Sequence, residues 1–221
     1  MKEPAPTPTR SYRSELRARQ AGETRRRVVA AAAELFAELG YARTTVKKIA
    51  ERAGVSPETV QAHGPKAALM RAATEQLGLG VEGVDDALEL PEVAALVALV
   101  SDERAKALGP WLLGLHRRLA GVLEAVVGGA ANDPELASYY REIVASIREN
   151  WAAVYDHDLT RGWVRVDRPR EEVIDVWCMA ASPEAYLRVT RNYGWSDEQY
   201  ASWLCSAYRD IWLGPIAMAR R

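Results

Sequence analysis

Cysteine is nearly absent from this 221-residue chain: Cys178 and Cys205 are the only two. They lie far apart and in no metal-ligand spacing, so nothing suggests a disulfide framework, and a reduced, cytoplasmic setting is expected. Proline and glycine are also sparse, at 11 and 15. Strand-like alternation is nearly missing as well, which argues against sandwiches and barrels and for helices. Long apolar runs are lacking: the longest, "VAALVALV", falls far below the ~18 residues that span a bilayer. The opening "MKEPAPTPTR" has no apolar segment of the secretory kind, so neither export nor a membrane partner is expected.

Catalytic equipment is equally scarce. The three histidines are scattered, "DHD" at Asp156–Asp158 is a lone polar cluster, and no nucleophile motif or phosphate loop appears. An enzyme is therefore not expected, and neither is a metal or a cofactor.

What is present is a lopsided charge and strong helical periodicity. Residues 1–79 hold 14 Lys/Arg against 8 Asp/Glu, a net of +6, within a chain whose overall charge is -1. A basic head on an acidic body favours a polyanion at one end only. Residues 1–23 read as a mobile basic arm, with "SYRSELRARQ" weakly helical and Arg13, Arg17 and Arg19 within reach of phosphates.

From Thr24, a plausible cap, Val28, Ala32, Leu35 and Leu39 recur at three-to-four-residue intervals until Gly40. Thr44 or Thr45 caps a second helix with the stripe Val46, Ile49 and Ala53, stopped at Gly54. Ser56 caps a third, with Pro57 in its first turn, where a missing N–H costs nothing. These spacings predict a helix-turn-helix within residues 24–80.

The stretch "AAAELFAELGYARTTVKKIAERAGVSPETV" resembles the N-terminal domain of the tetracycline-repressor (TetR) family of transcriptional regulators. The likeness runs from about Thr24 to Leu77 and includes Lys66 at the opening of the fourth helix. "ASPEAYLRVTRNYGWSDEQYASWL" is similar, more loosely, to the family's ligand-binding and dimerisation domain. The resemblance implies an all-α chain with an N-terminal helix-turn-helix head and a larger helical ligand-binding and dimerisation domain over 81–221. It also implies a dimeric regulator of a palindromic operator, released by a small-molecule effector.

Helix-turn-helix geometry lays the third helix in the major groove. Glu58 and Gln61 then meet base edges, Gln61 with the bidentate geometry that suits adenine, and Thr59 meets a base or a phosphate. Thr44, Thr45, Ser56, His63 and Lys66 lie where phosphates pass, assisted by helix N-termini. One departure stands out. The family ends this helix with a tyrosine, two variable residues and a phenylalanine, whereas here Gln61 and Gly64 stand in those places and the turn to Lys66 is one residue short. Phe36, Tyr41 or Leu69 is expected to fill the aromatic's space. The change motivates an alternative, a TetR-fold interaction or ligand-binding module with weakened DNA readout.

Beyond Gly80 an acidic linker, "VEGVDDALELPE", precedes five or six expected helices, with Gly109–Pro110 starting or kinking one of them. Two helices, about 171–192 and 196–219, should close the chain. Seven tryptophans and nine tyrosines against a single phenylalanine favour rings with a polar tip. Trp111, His116, Trp151, Tyr155 and Trp177 are candidates to line an effector pocket. The aromatic surplus of the last two helices is expected to pair with a symmetry mate.

Overall fold

The computed structural model describes residues 10–83 and 86–213, with side chains from Arg17 onward. Among these residues the chain is helical, with one isolated antiparallel bridge between Val164 and Leu213.

The head is built from α1 (Arg10–Arg43), α2 (Val46–Ala53), α3 (Pro57–Ala62) and α4 (Lys66–Leu79). The stops and caps fall where the sequence puts them. Gly40 breaks the course of α1 at φ 74°, and Gly54 ends α2 at φ 66°. Thr45 Oγ1 accepts from the Lys48 N–H at 3.3 Å, and Ser56 Oγ from the Thr59 N–H at 3.2 Å. The start of α1 differs. Thr24 lies inside the helix, which begins at Arg10, because the preceding residues are mostly good helix formers and a single Gly22 does not stop them. The expected arm at 10–23 is thus helical in backbone; the phosphate reach of Arg13 lies outside the described side chains.

The body comprises a 3-10 turn (Ala87–Glu89) followed by α5 (Pro91–Ala98), α6 (Ser101–Ala130), α7 (Pro134–Thr160), α8 (Arg170–Ala180), α9 (Pro183–Leu187) and α10 (Asp197–Ile211). The helix expected over 171–192 is interrupted where Ser182 caps α9 with Pro183 in its first turn. α10 opens at a capping box of Ser196 and Gln199. The expected extension to residue 219 lies outside the described residues.

Pro110 neither starts nor ends a helix: α6 runs through it. Proline leaves the carbonyl four residues earlier without its usual donor, and the Cys205 thiol approaches that Lys106 carbonyl at 3.8 Å. Gly109 permits the approach, since a Cβ there would lie 2.3 Å from the Ala201 carbonyl oxygen. The Gly109–Pro110 pair thus marks the point where α10 presses against α6.

Two apolar cores result. The first joins the head helices to Val122, Ala125 and Val126 of α6 and Leu136 and Tyr139 of α7. The second gathers α5–α8 and α10 around Trp177, Tyr208 and Trp212. At its edge Asp158 is fully buried. It accepts from Arg104 at 2.5 Å, the Trp212 indole N–H at 3.0 Å and the Tyr208 hydroxyl at 3.5 Å. The Arg104 guanidinium also donates to the carbonyls of Val97 and Leu99, which ties down the end of α5.

Arg104→Met should cost about 3–5 kcal/mol, because it strands a buried carboxylate. Urea unfolding followed by tryptophan fluorescence measures the loss. A change below 1 kcal/mol would show that Asp158 finds another partner.

Candidate functional site

The α2–α3 pair presents two kinds of surface. Thr44 does not belong to either: it is 1% exposed, and its hydroxyl donates to the Leu35 and Gly40 carbonyls at 3.0 and 2.9 Å. It closes the break after Gly40, a structural duty that removes it from the expected phosphate contacts. Thr45 is exposed and caps α2. Lys47 and Lys48 follow in the first turn, both exposed. Cations there oppose the helix dipole, and the Lys48 ammonium donates to the Arg43 carbonyl at 3.0 Å. Their doubled lysine was legible in the sequence and was not among the expected site residues.

Ser56, Glu58 and Thr59 form one local cap. Ser56 Oγ and Thr59 Oγ1 are 3.2 Å apart. The Glu58 carboxyl is held below its ordinary pKa by its own backbone N–H and by Ser56, so it stays anionic at the α3 N-terminus. Gln61 differs. It is exposed, and its amide has no partner among the described residues. His63 is half-buried at the C-cap, and its carbonyl accepts from Arg25 of α1 at 3.4 Å. Arg25 also pairs with Glu82 beyond α4, a tie between the end of α3 and the body linker that no motif signals.

Gly64 is required where it stands. Its φ is 117°, a backbone conformation that strains any side chain, and a Cβ would also crowd the Ala68 Cβ at 3.3 Å, so an aromatic is disfavoured here. The head core closes instead with Phe36, Val60, Leu69 and Met70, all fully buried. Tyr41 stacks on Phe36 at a 5.8 Å centroid separation.

Lys66 is half-buried, with Nζ 3.9 Å above the Tyr41 ring and donating to the Tyr41 carbonyl at 3.0 Å. Partial burial lowers its pKa. Tyr41 in turn donates to Asp133, the N-cap of α7, at 2.9 Å. The expected phosphate ligand therefore sits at a joint between head and body, and one of the three ammonium donors is already used.

The five body candidates divide. Trp151, Tyr155 and Trp177 converge edge-on around Trp212, with Trp151–Trp177 at 5.4 Å and Tyr155–Trp212 at 5.5 Å. The buried Trp177 indole N–H has no partner among the described residues. His116 stands apart, buried against Tyr200 with Nδ1 2.9 Å from the hydroxyl. Trp111 is half-buried on the second core. The "DHD" carboxylates are committed to Arg170 and Arg104. A groove of about 370 Å³ lies away from these rings, where Phe36–Arg43 meets Gly121, Glu124, Ala125 and Gly128 of α6. Most of the surface in and just after α10 expected to await a symmetry mate is consumed internally: Tyr200, Leu204, Tyr208 and Trp212 are fully buried, and Trp203 is half-buried.

Burial pushes the His116 imidazole down to about 4, so it is neutral in the folded chain near pH 7. An unfolded histidine titrates near 6.5. The unfolded state therefore takes up the proton first, and stability should fall as pH drops from about 6.5 to about 4, by roughly 2–3 kcal/mol from this group. His116→Gln should flatten that part of the profile relative to the parent. Parallel denaturation profiles for the two would refute the assignment.

Residues 28–73 match the sequence model of the tetR family of bacterial regulatory proteins, so the head is a domain of that family. No match is found among curated proteins. Solved structures share the fold across most of the chain. A protein from Saccharomonospora viridis in complex with choline is 20% identical, covering 87% of this chain and 98% of that one, with a TM-score of 0.67. SmeT bound to triclosan is 15% identical, with coverages of 88% and 94% and a TM-score of 0.64. NalD, the secondary repressor of the MexAB-OprM multidrug efflux pump in Pseudomonas aeruginosa, is 18% identical, with coverages of 88% and 98% and a TM-score of 0.59.

Proposed function

We propose that this chain, whose head is of the tetR family, is a sequence-specific DNA-binding transcriptional regulator, a repressor released by a small molecule. The observation that carries the reading is the exposed α3 surface inside a family-matched helix-turn-helix: Gln61 has an unspent amide, and Lys47, Lys48 and Thr45 flank it. Gln61 reads a base edge, Thr45 and the two lysines hold phosphates, and Lys66 adds a phosphate contact while remaining seated on Tyr41. Ser56, Glu58 and Thr59 mainly shape the α3 N-terminus, and His63 reaches a flanking phosphate. The functional parts are an N-terminal basic segment over 1–23, the head over 24–80 and the body over 81–221, acting without enzymatic chemistry in the cytoplasm.

The effector reading is supported by the orphaned Trp177 donor, because a buried N–H without a partner costs about 1–3 kcal/mol. A molecule bearing an acceptor and entering among Trp151, Tyr155 and Trp177 removes that cost. Choline and triclosan complexes of similarly folded proteins agree with such a use of the body.

One short helix reads few bases, so two copies are needed on a palindrome. The outer side of α10 is polar, with Glu198, Gln199, Ser202, Ser206 and Asp210 exposed. A better face lies on α7 and α8, where Val144, Ile147 and Met179 are 49%, 37% and 68% exposed. The Arg148–Asp175 ion pair and the Tyr140–Glu184 hydrogen bond bracket them. Met179→Glu should shift sedimentation from dimer to monomer, and an unchanged dimer would place the interface elsewhere.

The test of base reading is fluorescence anisotropy against duplexes selected by the chain from a random library. Gln61→Ala should lose about 1–3 kcal/mol of discrimination at one base pair with little change on scrambled DNA. Equal binding of selected and scrambled duplexes by the parent would favour the interaction-module alternative instead.

A further inference from the structure

α3 is too short to hold its own direction. It has six residues, and Val60 is the single side chain it buries. Helices of that length are not stable by themselves in water, so both ends must be held from outside. The first turn is fixed by the Ser56 cap. The other end carries Gln61, and there the His63 and Gly64 N–H groups close the last turn onto the Val60 and Gln61 carbonyls. The next residue, Pro65, has no N–H to give. Among the described residues no backbone N–H donates to the His63 carbonyl.

That carbonyl is taken by a side chain from another helix. Arg25 of α1 donates Nη1 to it at 3.4 Å, while Nε and Nη2 of the same guanidinium donate to Glu82 at 3.1 and 2.5 Å. The planar fork of arginine suits such a bridge, and a lysine ammonium lacks its geometry. Glu82 stands in a turn that is itself fixed. Gly80 ends α4 at φ 74° with its N–H on the Gln76 carbonyl at 3.1 Å, and the Gly83 N–H donates to the Glu75 carboxylate at 2.9 Å. The chain after α4 is thereby folded back on its own helix. The body reaches the same place, because Arg118 of α6 donates to the Leu77 carbonyl at 3.0 Å. Contacts thus run from α6 through the end of α4 to the end of α3.

We propose that Arg25 is a positioning residue for α3, which fixes the Gln61 end of that helix against the turn after α4 through Glu82. Its consequence rests on the DNA-binding reading of the head: the selectivity that Gln61 confers depends on a carboxylate outside the helix-turn-helix. Charge alone predicts the opposite sign. A carboxylate near the head repels phosphate, so its removal should tighten binding to any duplex. If Glu82 keeps Arg25 in place, its removal should weaken the selected duplex relative to a scrambled one. Exposure sets the size of the effect. The Arg25 and Glu82 side chains are 39% and 25% exposed, and ion pairs so open to water shift an equilibrium by about two- to five-fold.

The test uses Glu82→Gln and Arg25→Lys in the full chain, each alone and together with Gln61→Ala. Glu23→Gln is the control, since it removes an exposed carboxylate elsewhere on α1. Hydrogen exchange reads the hold without DNA: the Val60, His63 and Gly64 amides should exchange about two- to five-fold faster in both variants, with the Ile49 amide of α2 unchanged and the control like the parent. No acceleration overturns the proposal, and so does acceleration shared equally by Ile49, which is a general loss of stability. Fluorescence anisotropy then reads the consequence on the library-selected and scrambled duplexes. Both variants should lower the ratio of selected to scrambled binding by about two- to five-fold, and the loss should vanish in the Gln61→Ala background. Glu82→Gln that tightens both duplexes equally overturns the proposal. Selectivity retained in Arg25→Lys, which keeps the charge and loses the fork, overturns it in favour of a simple phosphate contact. A parent that does not discriminate, combined with accelerated exchange confined to α3 in the variants, refutes base reading and supports the hold of Arg25 on α3.

Discussion

Asp158 is a carboxylate with no access to water, and the body is organised by the need to satisfy it. An isolated buried charge is costly enough that a fold either neutralises it or surrounds it with donors. Here the donors come from α6 through Arg104, from α10 through Tyr208 and from its C-cap, Trp212. The remaining Arg104 donors fix the chain between α5 and α6. Sliding any of these helices past another would break a charge-assisted contact. Trp212 is held at its indole N–H by Asp158 and on its faces and edges by Trp151, Tyr155, Trp177 and Tyr208. The aromatic cluster inherits its geometry from one carboxylate.

From that fixed end α6 and α7 run to the head. They are the elements that contribute to both apolar cores, and they approach the head closely. A Cβ on Gly121 would meet the Ala37 Cβ at 2.7 Å, and one on Gly129 would meet the Tyr41 Cβ at 3.0 Å. The Tyr41–Asp133 hydrogen bond and the Lys66 ammonium on Tyr41 lie at the same seam. Two stiff helices thus connect the ring cluster around Trp177 to the head, and Lys66 stands where they arrive. Coupling through them requires an effector to bind two arrangements unequally.

Much of the head was readable residue by residue, because its signals are local. Thr45, Ser56, Gly40 and Gly54 act through their own hydrogen-bonding groups or backbone freedom, and each acts where expected. The misreadings share a cause. Thr44 and Thr45 look alike in sequence, but only packing decides that the Thr44 hydroxyl turns inward to Leu35 and Gly40. Gly109–Pro110 could start a helix or kink one, and the choice against a start is made where α10 brings Cys205 to the orphaned Lys106 carbonyl. The rings of α10 look like surplus until α6, α7 and α8 close around them.

The sequence by itself determined the helical class, the position of the helix-turn-helix, its caps and the separation of a basic head from an acidic body. These depend on residues near one another in the chain, on composition and on a period that local backbone geometry imposes. Tertiary structure alone decided which polar groups are spent and which remain available. It committed Thr44 to the core, seated Lys66 on Tyr41, enclosed Asp158, and left the Gln61 amide without a partner among the described residues. Availability is a property of what surrounds a side chain, and those surroundings come from helices tens of residues away.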